Sequence, residues 1–282
     1  MLKLLESVYR QEDVALEVVV VDDNSADGTA DAITERFPLT VVIRNHVNCG
    51  PAVCRNSGIR LAKGEIIVGL DSDVTLPERD TLKKIVATFR ECPSAHGLAF
   101  HLLRPDGKAE DADRWWHPLP IEKFADQRFA TFYFSGTAYA FRRTAMLAAG
   151  LFPEILFMHY EEVELAYRVL DNGGDILYCP ELKAVHHEHL VSRRSEVRLF
   201  YKPRNQVLVT IGCYPVLRGI IFLVPRLVHG LGLSVLRRHF KIFRRAMVMA
   251  LKLAPKRWAE RKPLKKTTWH RMALIRRGCV NV

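Results

Sequence analysis

Apolar positions along this chain fall into two rhythms. Short, nearly unbroken apolar runs end at Val21, span Leu39 to Ile43, Ile66 to Leu70 and Gly97 to Leu103, and read as strands. Stripes spaced three and four apart alternate with them and read as helices: Leu2, Leu4, Leu5 and Val8 in one, Thr29 to Arg36 in the next, closed by Pro38. A further helix follows the Gly50-Pro51 turn, and another covers Thr81 to Arg90. Alternation of strand and helix predicts a doubly wound, mostly parallel α/β layer. The run at Ile66 has no polar alternation, so it predicts a strand covered on both faces of a parallel sheet. Beyond it lie a polar turn at 104–113, a loop with Trp115 and Trp116, and the small-residue stretch Phe134 to Ala138. A helix over Arg143 to Ala149 and a second opening at His159-Tyr160-Glu161-Glu162 follow, the latter stopped by Asn172-Gly173-Gly174 ahead of a strand at Ile176 to Cys179. There is no internal repeat.

Two of these strands end in acids, Asp22-Asp23 and Asp71-Ser72-Asp73. Ligands of open α/β sheets lie beyond the carboxyl ends of the strands, and paired hard oxygen donors suit Mg²⁺ or Mn²⁺. A solvated turn would look the same. Arg55 and Asn56 stand near a helix start, where Arg55 is either a phosphate neighbour or a clamp for the carboxylates. Glu161 and Glu162 either complement a helix dipole or do chemistry. His186, His187 and His189 within four positions invite metal, although each alone suits core or surface. Tryptophans flanked by prolines stack on sugar rings or simply pack.

Composition adds an asymmetry. The net charge is +11, yet Arg193 to Val282 holds 22 basic and two acidic residues, so an acidic body carries a basic tail. Val207 to Leu236 is strongly apolar but broken by Arg218, Arg226 and His229, which predicts interfacial or re-entrant helices rather than a span. Arg237, Arg238, Lys241, Arg244 and Arg245 follow among aliphatic residues, the pattern of a basic amphipathic helix on anionic lipid. Nucleic acid is not expected, since aromatic stacking positions and known motifs are lacking. Six cysteines without a paired framework read as reduced thiols, and Met1 to Val8 is too short for a signal peptide.

Six landmarks in order then resemble the family 2 glycosyltransferases of the GT-A fold, of the rhamnosyltransferase-like type that builds bacterial cell-surface glycans. They are Val-Val-Val-Asp-Asp-Asn-Ser-Ala-Asp-Gly-Thr at 19–29, Asn-x-Gly-Pro-Ala-x-x-Arg-Asn-x-Gly at 48–58 and Asp-Ser-Asp at 71–73. Gly-Thr-Ala at 136–138, Tyr-Glu-Glu-Val-Glu-Leu-x-x-Arg at 160–168 and Phe-Tyr-Lys-Pro-Arg-Asn at 200–205 complete the set. The resemblance divides the chain into a glycosyltransferase domain at 1–205 and a membrane-associating helical tail at 206–282.

It implies an inverting transfer from a UDP or dTDP sugar to a lipid-linked or cell-surface glycan, in the cytoplasm and peripheral to the inner face of the membrane. Asp22 or Asp23 would meet the base, with Ser25, Arg55, Asn56, Gly136, Thr137 and Arg204 also around the substrate. Asp71 would stand at the ribose and sugar side, and Asp73, Asp71 and His187, or else His186, would hold the divalent cation. Glu162 would be the base, with Glu161 as the alternative. Members of the family start with an apolar strand and a base-cradling loop, whereas Met1 here falls within the helix that follows. Either the start site is misassigned, the gene is a fragment, or the sheet carries a gap at its centre; a catalytically silent membrane scaffold or nucleotide-binding module is the alternative function. A glycoside hydrolase with paired carboxylates would need no diphosphate metal site.

Overall fold

The computed structural model describes residues 1–187 and 196–279. In chain order the elements are α1 (Leu2–Tyr9), β1 (Val19–Asp22), α2 (Thr29–Arg36), β2 (Val41–Arg44), α3 (Pro51–Leu61), β3 (Ile66–Leu70), β4 (Val74–Thr75) and α4 (Thr81–Glu91). After these come β5 (Ala95–Leu103), α5 (Ile121–Phe124), β6 (Phe129–Thr131), β7 (Ala138–Arg142), α6 (Arg143–Ala148), α7 (Glu161–Asp171) and β8 (Asp175–His186). Four helices close the chain: α8 (Glu196–Cys213), α9 (Val216–Leu236), α10 (Phe240–Ala259) and α11 (Lys266–Arg276).

The α/β expectation holds, but the pairing is mixed rather than mostly parallel. β1 and β2 are parallel and form a sheet of their own. A six-stranded sheet runs β3-β7-β5-β8-β4, with β6 on β8. β7 lies antiparallel between β3 and β5, and only β5 and β8 pair in parallel there. The strand that reverses the sheet is Ala-Tyr-Ala-Phe-Arg, whose alanines mask its apolar rhythm in the sequence.

β1 and β3 do not pair with each other. Both start at one end, where the Glu17 carboxylate accepts the Gly64 amide at 2.7 Å. Both finish at the other, where Asp23 lies by Cys54 and Asp71 by Arg55. The strands are therefore parallel, with facing edges across a cavity of about 560 Å³ lined by Val18 to Val21 and Ile66 to Leu70. Val20, Leu5 and Ile33 form a small core separate from the main one. β3 is consequently half-buried rather than covered on both faces.

The boundary drawn at 205/206 falls inside α8. Leu208, Val209, Cys213 and Tyr214 of the supposed tail, with Leu264, Met272 and Ile275, belong to the main core. Arg257 of α10 is buried against Glu164 of α7 at 2.5 Å, and a Cβ at Gly212 would meet its guanidinium at 1.9 Å. Asp171 accepts the Lys265 amide at 2.8 Å. The C-terminal helices are thus built into the body. Instead of broken interfacial segments, Val216–Leu236 forms one 21-residue helix of mean hydropathy 1.8, long and apolar enough to cross a membrane. It is packed on the body on one side, with Gly219 against Thr210 and Gly230 against Phe243. Leu217, Ile221, Val224, Val228 and Val235 stay exposed on the other.

Candidate active site

The site grows from the carboxyl ends of β1 and β3 and the N-terminal turns of α3 and α7. Gly50 has φ of +83°, which glycine adopts without strain, and Pro51 then starts α3 with its preset φ. That turn is tied to β1. Asp23 accepts the Cys49 and Gly50 amides at 2.8 Å each and the Asn45 amide group at 2.9 Å. Burial alone would raise the Asp23 pKa, but these donors outweigh it and lower it. Among the described residues Asp22 accepts only the Ser25 amide, at 3.3 Å, and keeps most of its acceptor capacity.

Arg55 is the keystone. One guanidinium nitrogen donates to Glu161 at 2.9 Å, and the other donates to Asp71 at 2.9 Å and to the Gly136 carbonyl at 3.0 Å. A Cβ on Gly136 would meet Arg55 at 2.7 Å, so the small residue is needed for the arginine to pass. Thr137 is buried, and its carbonyl accepts the Asp71 amide at 2.9 Å, pinning the end of β3 to the strand beside it. Between the two sequence readings of Arg55, the carboxylate clamp describes its contacts.

The same clamp separates the two glutamates. Glu161, 4% exposed, is turned to Arg55. Glu162 lacks a cation partner among the described ion pairs; the Oε2 of each glutamate is buried without a hydrogen-bond partner, so the Arg55 contact is what distinguishes them. Burial, and then the charge of Glu161, push the Glu162 pKa well above the carboxylate range. Both sit in the first turn of α7, whose positive end faces them.

The loop delivering these acids is strained: Phe157, His159 and Tyr160 have φ between 64° and 73°. Three consecutive α8 residues hold it. Arg204 donates to the Ile155 and Leu156 carbonyls, and Asn205 to those of Leu156, Met158 and His159. Gln206 donates to the Tyr160 hydroxyl at 2.7 Å. Arg204 therefore fastens the loop instead of lining the site. Asn56 is corrected in the same way, because its amide group donates to the Phe152 carbonyl and Glu154 and accepts the Phe152 amide. Asn205 and Gln206 went unassigned in the sequence, where only the motif around them was visible.

At the far end of the acid row, Val74 pairs with His186 across β4 and β8. That register turns the buried His186 towards Asp73, with Nε2 at 3.6 Å from Oδ2, while Nδ1 bonds to Asp111 at 2.8 Å. Successive strand residues point to opposite faces, so His187 is directed elsewhere, its Nε2 to the Thr75 hydroxyl at 2.8 Å. His186, not His187, is the histidine beside Asp73; His189 lies outside the described residues. The His186 imidazole lowers the Asp73 pKa. Burial would lower that of His186, but Asp111 and Asp73 raise it to about 9.

Among the described residues no three of His, Cys, Asp and Glu form a ready cation cage. Asp73 with a histidine oriented from behind by a carboxylate fits a hard cation held by one or two protein groups plus substrate phosphates. Trp115 is structural, its indole donating to the Leu119 carbonyl at 2.7 Å amid Phe129, His117 and Tyr178.

The model of "Glycosyl transferase family 2" matches residues 1–148. An N-acetylglucosaminyl-diphospho-decaprenol L-rhamnosyltransferase of Mycobacterium tuberculosis is 22% identical over 247 residues, 72% of this chain and 80% of that protein. Two further curated glycosyltransferases, at 37% and 29% identity, are spanned over only 42% and 54% of their length. Among solved structures, Staphylococcus aureus TarS 1-349 in complex with UDP superposes with a TM-score of 0.60 at 19% identity, covering 99% of this chain and 83% of that one. The mannosyltransferase PcManGT from Pyrobaculum calidifontis in complex with GDP-Man and Mn²⁺ gives 0.56 at 22%, covering 98% and 80%. With the family model matched over half its length and GT-A enzymes as its structural neighbours, the chain belongs to glycosyl transferase family 2 and has the GT-A fold.

Proposed function

We propose that this glycosyltransferase moves a sugar, with inversion, from a UDP or dTDP sugar to a lipid-linked or cell-surface glycan acceptor. The observation that carries the reading is the asymmetry of the two glutamates. Arg55 pairs with Glu161, whereas Glu162 makes no ion pair among the described residues and has its pKa raised by burial and by the charge of Glu161, which makes it the better proton acceptor of the two once ionised.

In this reading Glu162 removes the proton of the acceptor hydroxyl as its oxygen attacks the anomeric carbon from the face opposite the diphosphate. The bond from that carbon to the diphosphate oxygen breaks, and the nucleoside diphosphate leaves. Asp22 and Asp23 receive the base, Asp71 orients the ribose and sugar side, and Arg55 holds Asp71 and Glu161 in place. Asp73, with His186 beside it, would hold Mn²⁺ or Mg²⁺, which when bound would neutralise charge on the leaving diphosphate. The relatives support donor and cation by what they bind: UDP in TarS, GDP-Man and Mn²⁺ in PcManGT. The lipid-linked acceptor is supported by the mycobacterial rhamnosyltransferase, whose name specifies a diphospho-decaprenol.

Membrane association on the cytoplasmic face belongs to the same proposal. On α9 the exposed Arg218 reaches the Trp269 ring of α11 at 5.3 Å and the exposed Arg226 folds onto Phe222 of the same helix at 3.8 Å, among the exposed Leu217, Ile221, Val224 and Val228. Arg237, Arg238, Lys241, Arg244 and Arg245 follow directly, and no acid lies between Val197 and Ala259. A mostly exposed apolar helix that touches the body at Gly219 and Ser234 and runs into a basic segment suits embedding along an anionic surface.

The test is Glu162→Gln. Nucleotide binding should persist within about twofold while transfer falls by about 10²- to 10⁴-fold, the usual contribution of a general base. Transfer at the wild-type rate would remove Glu162 from the role. A second reading, a membrane-bound nucleotide module without transfer, is favoured by the cavity that splits β1 from β3 next to the acids.

A further inference from the structure

Trp116 differs from its neighbour Trp115 in every structural respect. One face stacks on Tyr133, with ring centroids 5.8 Å apart and planes 23° apart, and Tyr160 meets it edge-on at 5.9 Å. About a third of the residue, 36%, is exposed. Its indole N–H makes no hydrogen bond among the described residues, whereas that of Trp115 is spent on a backbone carbonyl. A large aromatic held by two others, partly exposed and with an indole donor unspent among the described residues, offers a surface on which a ring with a polar rim can stack.

Its location says what kind of molecule does so. Tyr160 is the residue immediately before Glu161 and Glu162 and caps α7, and its hydroxyl is fixed by Gln206. Tyr133 is buried, and the Glu162 carboxylate is close enough to disfavour ionisation of both tyrosines, after burial itself. Trp116 thus belongs to the wall beside Glu162. Tyr139, by contrast, feels Arg55 and Asp71.

We propose that Trp116 is the platform for the acceptor sugar: a pyranose lies with its C–H face on the open indole face, which presents its hydroxyl to Glu162. The proposal rests on Glu162 as the base. An indole selects a flat patch of axial C–H bonds, so the site favours a pyranoside over a linear polyol or a bare lipid phosphate.

The experiment uses the full chain labelled with ¹⁵N at tryptophan indoles, Trp116→Phe identifying the Trp116 signal among the four. Methyl glycosides of glucose, galactose and N-acetylglucosamine serve as probes, with UDP and Mn²⁺ present, and glycerol as the polyol control. At least one glycoside should shift the Trp116 signal, and its ring protons should receive saturation from the protein, while glycerol does neither. Trp116→Ala should weaken that glycoside about three- to tenfold, and Trp116→Phe less, with UDP affinity unchanged.

A Trp116 signal silent to all three glycosides in protein that binds UDP overturns the proposal. So does weakening of a UDP-sugar relative to UDP in Trp116→Ala, which would make the platform a donor contact. Glu162→Gln separates the two claims: glycoside binding that persists while that variant still transfers sugar refutes the base and leaves the platform standing.

Discussion

Replacing Arg55 by methionine tests the electrostatic architecture of the site, because its two acidic partners differ so much in exposure. Glu161 has 5% of its side chain accessible and Asp71 39%, against 15% for Arg55 itself. An ion pair reaching solvent contributes at most about 1 kcal/mol, whereas removing one partner of a buried pair costs about 3–5 kcal/mol through the charge left behind. The cost of Arg55→Met should therefore come chiefly from Glu161, stranded beside Glu162, and amount to about 3–4 kcal/mol. For a chain of this size that lowers the thermal midpoint by about 6–12 °C, measured by circular dichroism at neutral pH. Adding Glu161→Met should return most of the loss, since the uncompensated charge goes with it. Arg36→Met, which opens the exposed pair with Glu6, is the control and should change little. If Arg55→Met falls no further than Arg36→Met, or the double variant merely sums the singles, Arg55 is not the keystone described here.

Three further outcomes follow from the same geometry. Gly136→Ala places a Cβ within 2.7 Å of Arg55, so nucleotide affinity should drop about tenfold or more while circular dichroism still reports a folded chain. Burial raises the pKa of Glu162 above its unfolded value, so the stability this group provides is complete below its ordinary value of 4.5 and is lost as pH rises through the folded value. Glu162→Gln should consequently melt like the wild type near pH 4 and progressively higher towards pH 9, by about 1.4 kcal/mol for each tenfold displacement of acidity. Ile221→Glu with Val228→Glu should abolish flotation with phosphatidylglycerol vesicles yet leave UDP binding intact, and unchanged flotation would exclude α9 as the embedding surface.

The aspartates of the site were legible because Asp22-Asp23 and Asp71 to Asp73 each end an apolar run, and a strand end has only one place to deliver its next residues. Orientation was not. Asn56 adjoins Arg55 in sequence, but one step along α3 turns it to the Phe152 loop. His186 and His187 are separated only by strand parity, which depends on the β4–β8 register and hence on contacts distant in sequence. The helices after Asn205 carry a charge pattern that suggested a separate tail. What joins them to the body is the buried Glu164–Arg257 contact, and no local pattern pairs residues so far apart.

The central claim is a nucleotide site that depends on a cation held at Asp73, and calorimetric titration of the folded chain with UDP and dTDP, with and without Mn²⁺, tests it most directly. Binding that requires Mn²⁺ and disappears in Asp73→Ala is the result the account predicts. Absence of binding in folded protein, or binding indifferent to both Mn²⁺ and Asp73, would contradict it.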